Sequence, residues 1–322
     1  MNIKTLQNIK RIIVHGNCPD GMSSAILLYD ALSIEPEFHI HGMDAFQNLK
    51  ITPNTLFCDI CPPEHLVQQF VEADGIVLDH HRAAEPFVKM FGERGVFADE
   101  KKEPGISGAS LAYREVWLPM ANAVGKALEY PYAKRFARLA GIRDTWQKHE
   151  KDWDVSCHQA AGLTFYPWSH WKNEIDQNSP HSYYADRYFQ FSNEMDVGKL
   201  IFENRLSKAR VCASEAHVAD GPNSLKVAIF NDHDRLTSDV ADMLREDGVN
   251  VIAGFFYSKT SKDSNYPVLC YSIRSDGSFD VSKFAESFGG GGHTKAAGYT
   301  KKVCMDDDPF SLFLDDLYSY GG

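Results

Sequence analysis

Residues 76–81 read Ile-Val-Leu-Asp-His-His (IVLDHH), a short apolar run that stops at an acid and two adjacent imidazoles. Ile76, Val77 and Leu78 have the character of a strand buried on both faces, introduced by Gly75. Asp79, His80 and His81 then fall where that strand leaves its sheet. Three polar, metal-capable side chains suit a site at the carboxyl edge of a parallel sheet, where open α/β folds place ligands.

The neighbouring sequence supports that sheet. RIIVH (11–15), EFHIH (37–41), TLFCD (55–59) and GVFA (95–98) read as further strands. DGMSSAILLYDAL (20–32), PPEHLVQQFVEAD (62–74), residues 107–124 with Ser107 as N-cap, and YAKRFARLAGI (132–142) read as helices. The alternation predicts an α/β fold, a parallel sheet flanked by helices. Residues 151–190 are aromatic and irregular, and read as a loop-rich cover or as a wall on which bases stack. Residues 196–219 are polar and helical in pattern, a linker closed by Asp220-Gly221-Pro222. A second, smaller α/β unit follows: strands at 225–231, 250–258 and 267–275, helices at 235–247 and 281–288, and then four glycines. The expected organisation is a metal-binding domain over 1–195, a linker helix over 196–221 and a substrate-binding domain over 222–322.

Composition narrows the function classes. With 44 acidic against 33 basic residues, the net charge of −11 argues against a stable duplex-DNA binder, which needs a basic face. It leaves room for short phosphate-bearing substrates, because bound dications would offset the acids at a site. No window has the ~18 apolar residues of a membrane span, and MNIKTLQNIKR has no apolar signal core. Seven cysteines at irregular spacing make no disulfide framework, and Cys58-x-x-Cys61 lacks the second pair of a zinc ribbon. The expectation is a cytoplasmic protein with reduced thiols and no membrane partner.

Polar groups gather at the predicted strand ends. HGNCPDG supplies His15, Cys18 and Asp20; the next ends supply Asp59, then Asp79, His80 and His81; GIRDTW supplies Asp144 after a helix. Taken singly, Asp20 reads equally well as a helix cap and His15 as a core histidine. Taken together on one sheet edge, imidazoles and carboxylates form a donor set for manganese, iron or zinc, with a carboxylate able to bridge two cations. In the second unit, GGGGHTKAAG (289–298) offers backbone amides to an anion, with His293 and Arg274 nearby in sequence or at a strand end.

HGNCPDG, FCD, LDHH and RDTW resemble, in order, the four motifs of the DHH phosphoesterases, a group that includes RecJ-type exonucleases, NrnA-type oligoribonucleases and family II pyrophosphatases. YSIRSDGSFDVSKFAESFGGGGHTKAAG resembles the DHH-associated C-terminal domain, so the likeness spans nearly the whole chain. The resemblance implies two divalent cations, manganese foremost. His15 and Asp59 would hold one; Asp20, Asp59, His80 and Asp144 would hold the other. His81 would face the scissile phosphate, Asp79 would orient a histidine, and His293 would reach the transition-state phosphate. Arg274, Ser275, Gly290, Gly291, Gly292 and His293 would contact the substrate. Cys18 departs from the pattern, since many relatives have an aspartate near that place; a thiolate there would favour zinc, iron or cobalt.

The activity implied is phosphodiester hydrolysis of short oligonucleotides, linear dinucleotides or nucleotide bisphosphates. Two alternatives stay open: a polyphosphate or pyrophosphate hydrolase, and a nucleotide-binding sensor with an impaired site. The oligomeric state, a homodimer included, is not legible in the sequence.

Overall fold

The computed structural model describes residues 1–123, 131–178, 191–258, 267–304 and 306–321; the side chains of Pro131 and His293 are outside the description. The chain divides into two compact units, Met1–Phe202 and Glu203–Gly322.

In the first unit, five strands run parallel in the order β2-β1-β3-β4-β5: β1 (Arg11–His15), β2 (Pro36–His39), β3 (Thr55–Cys58), β4 (Ile76–Asp79) and β5 (Gly95–Phe97). Strand side chains alternate between faces, and the two faces build two cores. Ile12, Val14, Leu56, Cys58, Ile76 and Leu78 pack on one side; Ile13, Phe57 and Val77 pack on the other. The first core is covered by helix α1 (Pro19–Leu32), by the helical run Gly108–Ala123 and by α2 (Pro131–Asp144). The opposite core takes Phe46, Val67, Phe70 and Val88 from shorter helices. Each fully buried aliphatic side chain contributes roughly 1.5–3 kcal/mol. The predicted doubly covered parallel sheet is therefore present, and the strand order reverses at β1, between β2 and β3. That reversal is the place where the sheet leaves a crevice at its carboxyl edge.

Two local readings are corrected. The described part of the 151–190 segment is not a loop-rich cover: Trp153–Phe165 and Trp168–Asn178 are helices, and residues 179–190 lie outside the described residues. Aromatic density misled the reading: Trp171 is buried and meets Tyr166 and Phe191 edge-on, whereas Phe165 is exposed. The run 108–123 is helical but contains a π-turn at Tyr113–Trp117, a widening that periodicity does not reveal.

The second unit is a six-stranded mixed sheet in the order β10-β11-β9-β8-β7-β6. Its strands are β6 (His217–Asp220), β7 (Lys226–Asn231), β8 (Val251–Ser258), β9 (Val268–Ser275), β10 (Gly291–His293) and β11 (Ala296–Lys302). β7 and β8 are parallel and the other pairs antiparallel. Helix α3 (Thr237–Glu246) covers one face; Val281–Ser287 and Pro309–Gly321 cover the other. The linker helix expected over 196–221 is shorter at its end: the helix is Ser192–Glu215, and 217–220 is the edge strand β6. Its polar residues fit an edge strand as well as a helix, which is why the pattern misled. Residues 259–266, between β8 and β9, lie outside the described residues.

Candidate metal centre

The HGNCPDG segment turns sharply from β1 into α1. Asn17 takes a left-handed conformation (φ 59°), Cys18 caps the helix by accepting from Gly21 N at 3.1 Å, and Pro19 begins it. A β-carbon at Gly21 would lie 2.0 Å from His15 O, so only glycine lets the helix start this close to the strand. The result places His15, Cys18 and Asp20 together at the sheet edge.

Asp59, one residue past β3, also has a left-handed backbone (φ 61°), which carboxamide and carboxylate residues tolerate better than most. Its two carboxylate oxygens face different partners. Oδ2 lies 3.5 Å from His15 Nδ1 and 3.4 Å from Cys18 Sγ, whereas Oδ1 lies 3.2 Å from His80 Nε2. His80 Nε2 is also 3.5 Å from Asp144 Oδ2 and 3.8 Å from Asp20 Oδ2. Asp20 is buried and accepts from Gly108 N (2.6 Å) and Ala109 N (3.1 Å), at the start of the run capped by Ser107. Asp79 accepts from both His81 N (2.9 Å) and His81 Nδ1 (2.8 Å), which fixes the ring. The rim is formed by Asp144 and His81, with side chains 31% and 46% exposed.

Seven of the residues singled out in the sequence thus meet in one cluster: His15, Cys18, Asp20, Asp59, His80, His81 and Asp144. Three groups within it have mutually close donor atoms, all within 4.8 Å: His15, Cys18 and Asp59; Asp59, His80 and His81; Asp20, His80 and Asp144. This is the donor chemistry of divalent transition metals, and the split orientation of the Asp59 oxygens fits a bridging carboxylate.

Burial and close charges set the electrostatics of the cluster. Burial raises Asp20 well above the carboxylate range, and the charges of Asp59 and Asp144 push it further. Burial would raise Asp59 too, but its hydrogen bonds to His15 and His80 prevail and hold it low. Burial would lower His80, yet the Asp59 hydrogen bond and the surrounding carboxylates lift it to about 10. Burial likewise opposes charge on His81, which Asp79 nevertheless holds at about 9.

Sequence reading did not single out Gly108 and Ala109, whose amides hold Asp20; the Ser-Gly step at a helix start was the available signal. It also passed over His41, whose ring lies 6.0 Å from that of His15.

Residues 223–314 match the DHHA1 domain. Over nearly its whole length the chain has the fold of two solved proteins. One is a pGpG-specific phosphodiesterase, PggH, from Vibrio cholerae: TM-score 0.55 at 12% identity, covering 97% of this chain and 100% of that one. The other is the DHH domain of a member of the s1p family of ribosomal proteins: TM-score 0.57 at 11% identity, covering 93% and 84%. The chain thus carries a DHHA1 domain and shares its fold with DHH-domain proteins. An uncharacterized protein, R106, of Acanthamoeba polyphaga mimivirus is 22% identical over 314 residues, and the chain spans 66% of that relative's length.

Within the DHHA1 domain the expected substrate residues divide. Arg274 is held from three sides: its guanidinium donates to Ser238 Oγ (3.1 Å), Ser272 Oγ (3.3 Å) and Ile273 O (2.9 Å). Burial and then the nearby Arg245 charge lower its pKa, and it forms no ion pair among the described residues. A desolvated guanidinium of this kind favours an incoming anion. Ser275 is placed otherwise than expected. It is buried, its hydroxyl donates to Phe279 O (2.8 Å) and accepts from Gly277 N (3.0 Å), so it shapes the turn. The glycine run is also partly spent internally: Gly289 N donates to Glu286 O (3.0 Å) and Gly290 N to Ala285 O (2.8 Å). Gly291, Gly292 and His293 form β10 in antiparallel register with Gly298, Ala297 and Ala296. The His293 side chain is outside the description. No helix among the described residues is long and apolar enough to cross a membrane.

Proposed function

We propose that this chain is a DHH-type, metal-dependent phosphodiesterase acting on a short nucleotide substrate, such as a linear dinucleotide, a small oligonucleotide or a nucleotide bisphosphate. The observation that carries the reading is the convergence of Asp20, Asp59, His80 and Asp144 with His15 at the carboxyl edge of the parallel sheet. The fold it shares with a pGpG-specific phosphodiesterase supports the substrate class.

His15 and Asp59 would hold one cation, and Asp20, Asp59, His80 and Asp144 the other; this carboxylate-rich set suits manganese. Cations bound there supply Lewis-acid stabilisation of phosphoryl oxygens and a nucleophile at neutral pH. The chain's own groups do the positioning. The amides of Gly108 and Ala109 fix Asp20, and the left-handed backbone of Asp59 turns its carboxylate across the cluster. Asp79 keeps a proton on Nδ1 of His81, so the ring presents Nε2 on its far side to a phosphate oxygen. Arg274, preorganised by its two serines, would bind a phosphate of the substrate body, and His293 with Gly291 and Gly292 would complete that contact.

The test is product analysis. Purified protein, stripped by chelator and reloaded with manganese, is incubated with linear dinucleotides, longer oligomers, nucleotide bisphosphates, pyrophosphate and polyphosphate, and products are identified by mass. Mononucleotide release from a dinucleotide is the expected result. Cleavage of the anhydrides alone would replace this reading with a pyrophosphate or polyphosphate hydrolase. Dinucleotide binding without turnover under manganese, cobalt, zinc and iron would replace it with a sensor.

A further inference from the structure

We propose that Cys18 is a thiolate ligand of the first cation, so that the centre takes two different metals: a soft ion at His15, Cys18 and Asp59, and a hard ion at Asp20, Asp59, His80 and Asp144. The inference rests on the metal-centre reading above, but not on any particular substrate.

Three observations carry it. Cys18, His15 and Asp59 form one of the close donor groups, and of the three only Asp59 recurs in another. The sulfur is fixed in place: it accepts from Gly21 N at 3.1 Å and its proton points to Asp59 Oδ2 at 3.4 Å, the oxygen that also faces His15. A cation there would replace that thiol proton, which leaves to solvent as the S–metal bond forms. Finally, the two positions differ in donors. The first offers nitrogen, sulfur and oxygen; the second offers one imidazole and otherwise carboxylates. Thiolate ligands select zinc and other soft ions, whereas carboxylates suit manganese and magnesium. Helix capping does not account for the sulfur, because serine or aspartate caps a helix better.

Cobalt serves as the probe. Chelated full-length protein is titrated with Co²⁺ and followed in the near-ultraviolet, where thiolate-to-cobalt charge transfer absorbs. One such band is expected in the wild type and none in Cys18→Ser, a variant that retains a side chain able to cap α1. Visible cobalt bands in both proteins report binding independently of sulfur. Loading with equimolar zinc and manganese, followed by elemental analysis, should give one of each per wild-type chain. In Cys18→Asp the preference for zinc should fall at least tenfold. Two bound cobalt ions without a charge-transfer band, or a band that persists in Cys18→Ser, would overturn the proposal and leave the hydrolase reading standing. Failure to bind any cobalt would remove both.

Discussion

Gly108 is the position where a single methyl group tests the centre most directly. A β-carbon there would lie 2.4 Å from the Asp59 β-carbon and 2.9 Å from Asp20 Oδ2. Carbon atoms in contact sit at about 3.5–4.0 Å, so Gly108→Ala forces a displacement of about 1 Å at Asp59, at the helix start, or at both. Overpacking of this kind costs about 1–3 kcal/mol in stability. The functional cost should be larger in proportion. Metal–ligand distances tolerate about 0.2 Å, and a displacement of about 1 Å at reacting groups costs about 10²-fold in rate. The same change disturbs the 2.6 Å hydrogen bond from Gly108 N that orients Asp20. Urea denaturation of the metal-free protein reads the first effect; dinucleotide turnover at saturating manganese, with cation affinity by calorimetry, reads the second. A Gly108→Ala protein with wild-type turnover and wild-type cation affinity would refute the placement of both carboxylates as ligands.

Three further outcomes are expected. Asp59→Ala removes the group that faces both halves of the cluster; turnover should fall about a thousandfold or more, several kcal/mol of lost stabilisation, and a variant with a tenth of wild-type activity after remetallation would contradict the bridging role. Arg274→Ala should weaken kcat/KM for a dinucleotide about tenfold or more, through loss of charge-assisted hydrogen bonds worth about 1.5–3 kcal/mol, while KM for inorganic pyrophosphate changes less; equal effects on both would argue against a contact to the substrate body. In metal-free protein, His80 at about 10 and His81 at about 9 stand above the ordinary value of 6.5. Raised histidines stabilise fully below pH 6.5 and lose that contribution as pH climbs through their folded values. The melting temperature of chelated protein should therefore fall between pH 6.5 and about 10, and a flat or rising profile across that window would count against protonated imidazoles in the cluster.

The sheet was legible because its strands are buried on both faces and bounded by turn residues: IVLD, TLFC and RIIV read as β4, β3 and β1 within a residue or two. The site was legible for a related reason. A parallel sheet sends every strand end to one edge, so polar residues just beyond apolar runs converge whatever their separation in the chain. What stayed hidden depends on three dimensions. Nothing local marks Asp59 as left-handed, and nothing at Gly108 announces that Asp20 lies behind it, because that contact joins positions 88 residues apart. Ser275 shows the opposite error. A serine beside an arginine at a strand end reads as a substrate contact, but a neighbouring turn had already used its hydroxyl.

The opposite behaviour of Asp20 and Asp59 ties these observations into one physical account. Both carboxylates are buried to the same degree, 1% exposed, so desolvation alone would raise both. Asp59 has imidazoles on two sides and stays ionised; Asp20 has Asp59 and Asp144 as its strongest charged neighbours and is driven towards the protonated form. Without cations the cluster therefore favours charge on His80 and His81 and disfavours it on Asp20. Two dications placed among the same groups would supply the positive charge instead and drive the protons off. A core that simply needed packing would not spend four carboxylates at one sheet edge, since unpaired buried charge destabilises by several kcal/mol. Under the proposed function, cations would be the partners that offset this charge.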